Sequence, residues 1–240
     1  MASEYLKKKY QDVKPDVKRE LTPAEKRKNW WYYHKWHVVA AVILLLIAAD
    51  LVWGIMGRGQ PQPDYQIAYV GAGTLPDDTA AAIERCFAEL GEDLNGDGQV
   101  LVHLQQYVSD PDGDPTSLVA ASVQLMADIM EQESFFFLLE DPESFQVQYN
   151  TLSHVDGTLP EEDDYSVDNS VLTWSQCPVL AAMDLGDFSY DLFGGTISGN
   201  SQKLVSSLFI GRRGFWTEEE TGVQAGYTAL WEKVTEGAIS

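Results

Sequence analysis

Apolar residues are distributed along this chain in three ways, and each way predicts a different element. The first is an almost unbroken run. From Val38 it reads Val-Val-Ala-Ala-Val-Ile-Leu-Leu-Leu-Ile-Ala-Ala to Ala49, is interrupted by Asp50, and resumes as Leu-Val-Trp-Gly-Ile-Met. Residues 36–57 are 22 residues long, enough for a helix to cross a hydrocarbon core of about 30 Å. Trp30, Trp31, Tyr32, Tyr33 and Trp36 form an aromatic belt at one end, and Trp53 stands near the other. Just before it, Thr22-Pro-Ala-Glu25 has the spacing of a capping box with proline at the first helical position, so the helix is predicted to begin near residue 23.

Beyond residue 64 the pattern becomes periodic. Tyr65-Gln-Ile-Ala-Tyr-Val70 reads as a strand and Gly71-Ala-Gly-Thr74 as a turn. A helix opening at Asp77 or Asp78 follows, with Ala80, Ile83, Phe87 and Leu90 on one face. Residues 100–107 predict a second strand. Asp114-Pro115 then starts a second helix, whose face carries Leu118, Ala121, Leu125 and Ile129. Val119, Val123, Met126 and Met130 widen its apolar surface, which predicts cover on more than one side. Residues 134–139, with three successive phenylalanines, read as a central strand buried on both faces.

This strand–helix–strand–helix–strand order predicts right-handed crossovers. The fold class is therefore α/β: an N-terminal transmembrane helix followed by a three-layer domain with a mostly parallel sheet. Past Asp141 the pattern weakens. It allows a short helix at Asp141-Pro-Glu143, a polar loop over 151–170 with a solvated Glu161-Glu-Asp-Asp164, and a strand over 204–210. A capping box at Thr217-Glu-Glu-Glu220 precedes a last helix with Tyr227, Leu230, Trp231 and Val234 on one stripe.

Charge sharpens the division. Residues 1–35 carry ten Lys/Arg against five acids; residues 36–240 carry six against 32, a net charge of −26. The positive-inside rule puts the N-terminus in the cytoplasm and the acidic domain outside the cell. A cleaved signal peptide would need a shorter basic segment and a small-residue cleavage site, so an uncleaved signal anchor is expected. The organisation is then a basic tail (1–35), a membrane helix (36–57), a linker (58–64) and an extracytoplasmic domain (65–240). Such an acidic domain repels nucleic acid and anionic lipid. Asp50 marks either the outer interface, if the span begins near Trp30, or a contact with a partner helix. Cys86 and Cys177 form no disulfide framework and read as two buried, inert thiols.

Residues 65–141 resemble the first half-lobe of type II extracellular solute-binding proteins, above all in Met126-Ala-Asp-Ile-Met130 and Phe135-Phe-Phe-Leu-Leu-Glu-Asp-Pro142. The tail, single span and outer domain together resemble uncharacterised single-pass membrane proteins of Gram-positive bacteria. The resemblance implies the fold and a module that binds a small solute or a partner protein. A second lobe is not expected, since roughly 60 residues between Pro142 and Leu204 are too few for one.

Candidate chemistry is sparse. Asp93-Leu-Asn95-Gly-Asp97-Gly98-Gln99 matches the opening of an EF-hand-like calcium loop. Asp93, Asn95 and Asp97 would offer side-chain oxygens and Gln99 a carbonyl. Position twelve is Leu104, so a remote carboxylate such as Asp110, Asp112 or Asp114 would have to complete the shell. The alternative is an ordinary Asn-Gly-Asp-Gly turn. The Gly71–Thr74 turn stands where open α/β sheets bind ligands, but Asp77 and Asp78 disfavour an anion there. His103 falls on the less apolar side of its strand, and no nucleophile motif is present. The expectation is a non-catalytic binding or interaction module, possible calcium aside without cofactor. The alternative is an accessory subunit of a membrane complex that makes its contact through Asp50 and the basic helix.

Overall fold

The computed structural model describes residues 22–55, 62–108, 110, 113–161, 163–192, 194–215 and 222–238. The basic tail up to residue 21, the end of the apolar span, most of the linker, Asp112 and the Thr217–Glu220 capping box lie outside them. The chain divides between residues 60 and 61 into two compact units.

The first unit is a single helix, α1 (Pro23–Ile55). Its capping box forms: the Thr22 amide donates to Glu25 Oε2 at 2.9 Å and the Glu25 amide to Thr22 Oγ1 at 3.4 Å. Its 33 residues extend about 50 Å. Within it is a stretch long and apolar enough to cross a membrane. Leu44, Leu45 and Leu46 are 66%, 69% and 65% exposed, so apolar side chains point outward on successive sides. Such a helix needs an apolar surrounding. Asp50 lies on it, exposed.

The second unit holds a five-stranded sheet in the order β2-β1-β3-β7-β4. The strands are β1 (Tyr65–Gly71), β2 (Val102–Val108), β3 (Phe136–Leu139), β4 (Val171–Thr173) and β7 (Phe209–Arg212). β1 pairs in parallel with both β2 and β3, and β7 runs antiparallel between β3 and β4. Four of the five strands therefore point the same way.

Helix α2 (Asp77–Leu90) connects β1 to β2, and α3 (Pro115–Glu131) connects β2 to β3. Because β2 and β3 lie on opposite sides of β1, the two helices cover opposite faces. Ile83 and Phe87 of α2 pack on Tyr65, Ile67, Phe136 and Leu138. Leu125 and Ile129 of α3 pack with Ala68, Phe137 and Leu139. The first face is completed by α7 (Gly222–Val234), which buries the predicted stripe of Tyr227, Leu230, Trp231 and Val234. The second is extended by α4 (Pro142–Tyr149) through Phe145. β3 is buried along its whole length, as its unbroken apolar run predicts.

Several expectations need correction. The outer positions of α3 are not covered: Val119, Val123 and Met130 are 62%, 63% and 75% exposed. Only the inner face meets the sheet, and the eight residues of α4 leave the other open. The predicted strand over 204–210 begins later, at Phe209. Asn200 caps a short helix, α6 (Ser201–Val205), by accepting from the Lys203 amide at 3.1 Å, and this takes Leu204 and Val205 out of the strand. Asp64, assigned to the linker, is buried. The later region also contains β4, a short helix α5 (Pro178–Ala181) and a separate hairpin of β5 (Asp187–Leu192) and β6 (Gly195–Asn200). The hairpin had a readable signal in alternating Phe188, Tyr190 and Leu192 before Gly194-Gly195. Both cysteines are free and buried, and burial pushes the Cys177 thiol up to about 11.

The predicted caps of α3 and α4 both form. Asp114 Oδ2 accepts from the Ser117 amide at 3.1 Å, and Asp141 Oδ1 from the Ser144 amide at 3.0 Å. The Ser144 hydroxyl and then its amide hold the Asp141 carboxyl below the ordinary aspartate value of 3.8, and Thr158 does the same for Asp156. A carboxyl depressed by folding adds stability that is complete above its unfolded value and lost as pH falls through its folded one. The melting temperature should therefore be insensitive to these groups at neutral pH and fall below about pH 4. In Asp141→Asn that acid-limb fall should be shallower; an identical limb would remove Asp141 as a contributor.

Candidate functional site

The strand order reverses at β1, and open α/β sheets bind ligands outside the carboxyl ends of the strands at such a point. The residues there are Gly71 at the end of β1 and Glu140 just beyond β3. Glu140 Oε1 accepts from the Tyr69 hydroxyl at 2.7 Å, and Oε2 from the Ala72 amide at 2.8 Å. To make both bonds the carboxylate crosses directly over Gly71. A Cβ there would lie 2.7 Å from Glu140 Cδ and 2.6 Å from Tyr69 Cζ, so only glycine admits the crossing. Burial first, then the Glu140 carboxylate, raises the Tyr69 phenol far above its usual range and keeps it a donor.

Glu140 stands between two hollows. The larger, about 350 Å3, opens between the Gly73–Pro76 turn, the β5–β6 hairpin and the end of α6. The smaller, about 230 Å3, lies on the other side, against Asp141 and the start of α4. Phe188 and Tyr190 wall the larger one, stacked at 6.2 Å with planes 18° apart. The hairpin that carries them is fastened to α2. The Ser189 amide donates to Asp78 Oδ2 at 3.1 Å, and the buried Thr79 hydroxyl donates to Ser201 Oγ at 2.9 Å. Among the described residues, no lysine, arginine, histidine or cysteine lines either hollow. Sequence reasoning found the turn but not Glu140, which looks like any other acid until its partner 71 positions away is known.

The predicted calcium loop folds on itself. Asp93 Oδ1 and Oδ2 accept from the amides of Gly96 and Gly98 at 2.6 and 2.8 Å. Asn95 accepts from the Asp97 amide and Asp97 from the Gln99 amide, both at 2.9 Å. Gly96 and Gly98 have φ of 77° and 86°, which explains both glycines. Leu104, at position twelve, is buried in β2. Asp114, one candidate for the remote acid, caps α3 instead. The acid that reaches the loop is Asp64, and it serves the backbone. Its Oδ1 accepts from the amides of Leu94 and Asn95 at 2.8 and 3.1 Å, and its Oδ2 from that of Leu101 at 2.8 Å. Among the described residues no group of three or more His, Cys, Asp or Glu converges on a possible metal position.

Among the described residues, the loop in this conformation gathers fewer oxygens than the six to eight that calcium takes. Millimolar calcium and a chelator should give the same melting temperature for the acidic domain. A clear calcium-dependent rise that disappears in Asp97→Ala would show that the loop rearranges to bind the ion.

A second polar centre is buried at the opposite end of β1. Asp128, the acid of the Met126–Met130 segment, is 3% exposed. Its Oδ2 accepts from the Tyr107 hydroxyl and the Ser134 hydroxyl, each at 2.6 Å, and from Gln66 Nε2 at 3.1 Å. Its Oδ1 accepts from the Ser134 amide at 2.8 Å. Burial and this carboxylate keep the Tyr107 phenol protonated, and Arg213, also buried, feels the same charge. Four donor bonds satisfy the Asp128 carboxylate, which makes this centre a structural staple, while Arg213 Nη1 is buried without a hydrogen-bond partner among the described residues. His103 is exposed beside Glu84 at 3.4 Å, on the polar side of its strand.

Comparison with protein-family models, with curated proteins and with solved structures returned no match for this chain.

Proposed function

We propose that this chain is a membrane-anchored binding module. Its basic N-terminus is cytoplasmic, α1 is the anchor, and the acidic α/β domain is outside the cell, where it takes a small solute at the crevice beside Glu140 without chemical turnover. The observation that carries this reading is the crevice itself: it lies where the strand order reverses, is walled by aromatic rings, and contains one fixed carboxylate. A carboxylate held by two donors and a set of hydroxyls can orient a ligand. Among the described residues no histidine or cysteine lines the crevice, which favours binding over catalysis.

Gly73 provides the test. A Cβ at this position meets nothing within 4 Å, so Gly73→Phe should fill the crevice without disturbing the fold. In a thermal-shift screen of small solutes, the wild-type chain should respond to at least one, and Gly73→Phe should melt normally but not respond. Equal responses from both proteins would exclude the crevice as the site. Protease added to intact cells should remove the acidic domain and spare a tag at the N-terminus; the reverse pattern would overturn the orientation.

The open outer face of α3 favours a second reading, an accessory subunit of a membrane complex. Under that reading Asp50→Leu abolishes co-purification of the partner, and retention of the partner counts against it.

A further inference from the structure

We infer that the crevice beside Glu140 takes a small organic cation, an ammonium group on a compact apolar body. The inference rests on the crevice being the binding site and adds the class of ligand. The cavity of about 350 Å3 is within the range of small-molecule sites. Among the described residues lining it, Glu140 supplies the one full charge, and the two donors that hold it fix where that charge stands. Each carboxylate oxygen can accept more than one hydrogen bond, so Tyr69 and Ala72 leave capacity for an ammonium donor.

Among the described residues, carboxylates border the cavity on several elements, and Lys203 of α6 is a basic neighbour of its lining residue Leu204. The smaller hollow presents Asp141, held ionised by Ser144. The hairpin is seated on Asp78 and carries Asp187 and Asp191. With no lysine or arginine among the described lining residues, an anion would meet the Glu140 charge inside the cavity with no cation there to offset it.

The aromatic walls favour the same ligand. Tyr190 is 43% exposed, and with Phe188 it presents ring surface to the crevice. Ring faces attract cations, quaternary ammonium groups among them. A neutral polyol would instead need several convergent side-chain donors and acceptors. Beyond Glu140 and Tyr69, the side-chain polar groups among the described lining residues of the larger hollow are the hydroxyls of Thr74, Ser207 and Tyr190.

The experiment is calorimetric titration of the full-length chain in detergent with choline and with its uncharged isostere 3,3-dimethylbutan-1-ol, alongside glucose as a neutral polar probe. Choline should bind at least about tenfold more tightly than the isostere, a difference of about 1.4 kcal/mol. Glu140→Gln, which preserves size and can still accept from the Ala72 amide, should remove most of that preference. Tyr190→Ala, at an exposed position, should weaken choline several-fold with an unchanged melting temperature. Equal binding of choline and the isostere, or choline binding indifferent to Glu140→Gln, overturns the cation proposal. If glucose or the isostere binds better than choline and Gly73→Phe abolishes it, the crevice stands and only the ligand class falls. If none of the three binds at millimolar concentration, the cation proposal falls, and the crevice is judged by the Gly73→Phe screen alone.

Discussion

Asp128→Ala should destabilise the acidic domain by about 3–5 kcal/mol, the range for removing one partner from a buried charged network. The change strips the acceptor from Tyr107, Gln66 and both donors of Ser134 at once, and leaves the buried Arg213 without its nearest countercharge. Typical domain stabilities are about 5–15 kcal/mol, so the variant should have few folded molecules to spare at physiological temperature. Tyr107→Phe, which removes one donor and leaves the carboxylate satisfied, should cost only about 1–2 kcal/mol. The two losses should not add in the double variant, because the second substitution then removes a hydroxyl already orphaned. Pulse proteolysis across a urea series measures all three. A loss below about 1 kcal/mol for Asp128→Ala would mean that water replaces the carboxylate and the network is dispensable.

The second large effect is expected where the sequence suggested only a linker. Asp64→Ala leaves the amides of Leu94, Asn95 and Leu101 without their acceptor, and should cost about 2–3 kcal/mol. Asp93→Ala and Asp97→Ala remove exposed carboxylates from the same loop and should each cost clearly less than Asp64→Ala. That ordering reverses the one a calcium site would give, in which Asp93 and Asp97 matter most and Asp64 is a bystander. The comparison therefore tests the role of the loop by a route independent of added metal. Hydrogen exchange should show the same contrast: the Leu101 amide becomes unprotected in Asp64→Ala and stays protected in Asp97→Ala.

The contrast between Asp64 and Asp93 also shows what was legible in the sequence. Periodicity identified β1, α2, β2, α3 and β3 because each buries one face or both over several turns or residues, and burial is what leaves a period. It failed on β4, with three residues, and on α6, with five, which are too short to show one. Leu204 misled because it is exposed on α6 while Val205, Leu208 and Ile210, which follow it, are core residues. α3 misled differently: its outer valines and methionines match a buried helix in composition, and composition does not record whether a neighbour exists.

The polar sites were less legible. Local turn chemistry in Asp93–Gln99 is written in consecutive residues. The bonds from Asp64, Asp128 and Glu140 include partners tens of residues away, and in a chain with 37 acids nothing local distinguishes those three.

The position of Asp64 has a mechanical consequence. Tension applied to the chain at Gln62 enters the domain through Asp64 and passes at once into β1. That strand is interior to the sheet, with seven residues in register with β2 on one side and four in register with β3 on the other, all parallel. A force along its axis loads these hydrogen bonds together in shear, whereas a pull on a terminal edge strand would break them one at a time. The domain is thus attached by the strand hardest to extract, and a tether drawn taut should slide or lift the whole body before it unravels the sheet.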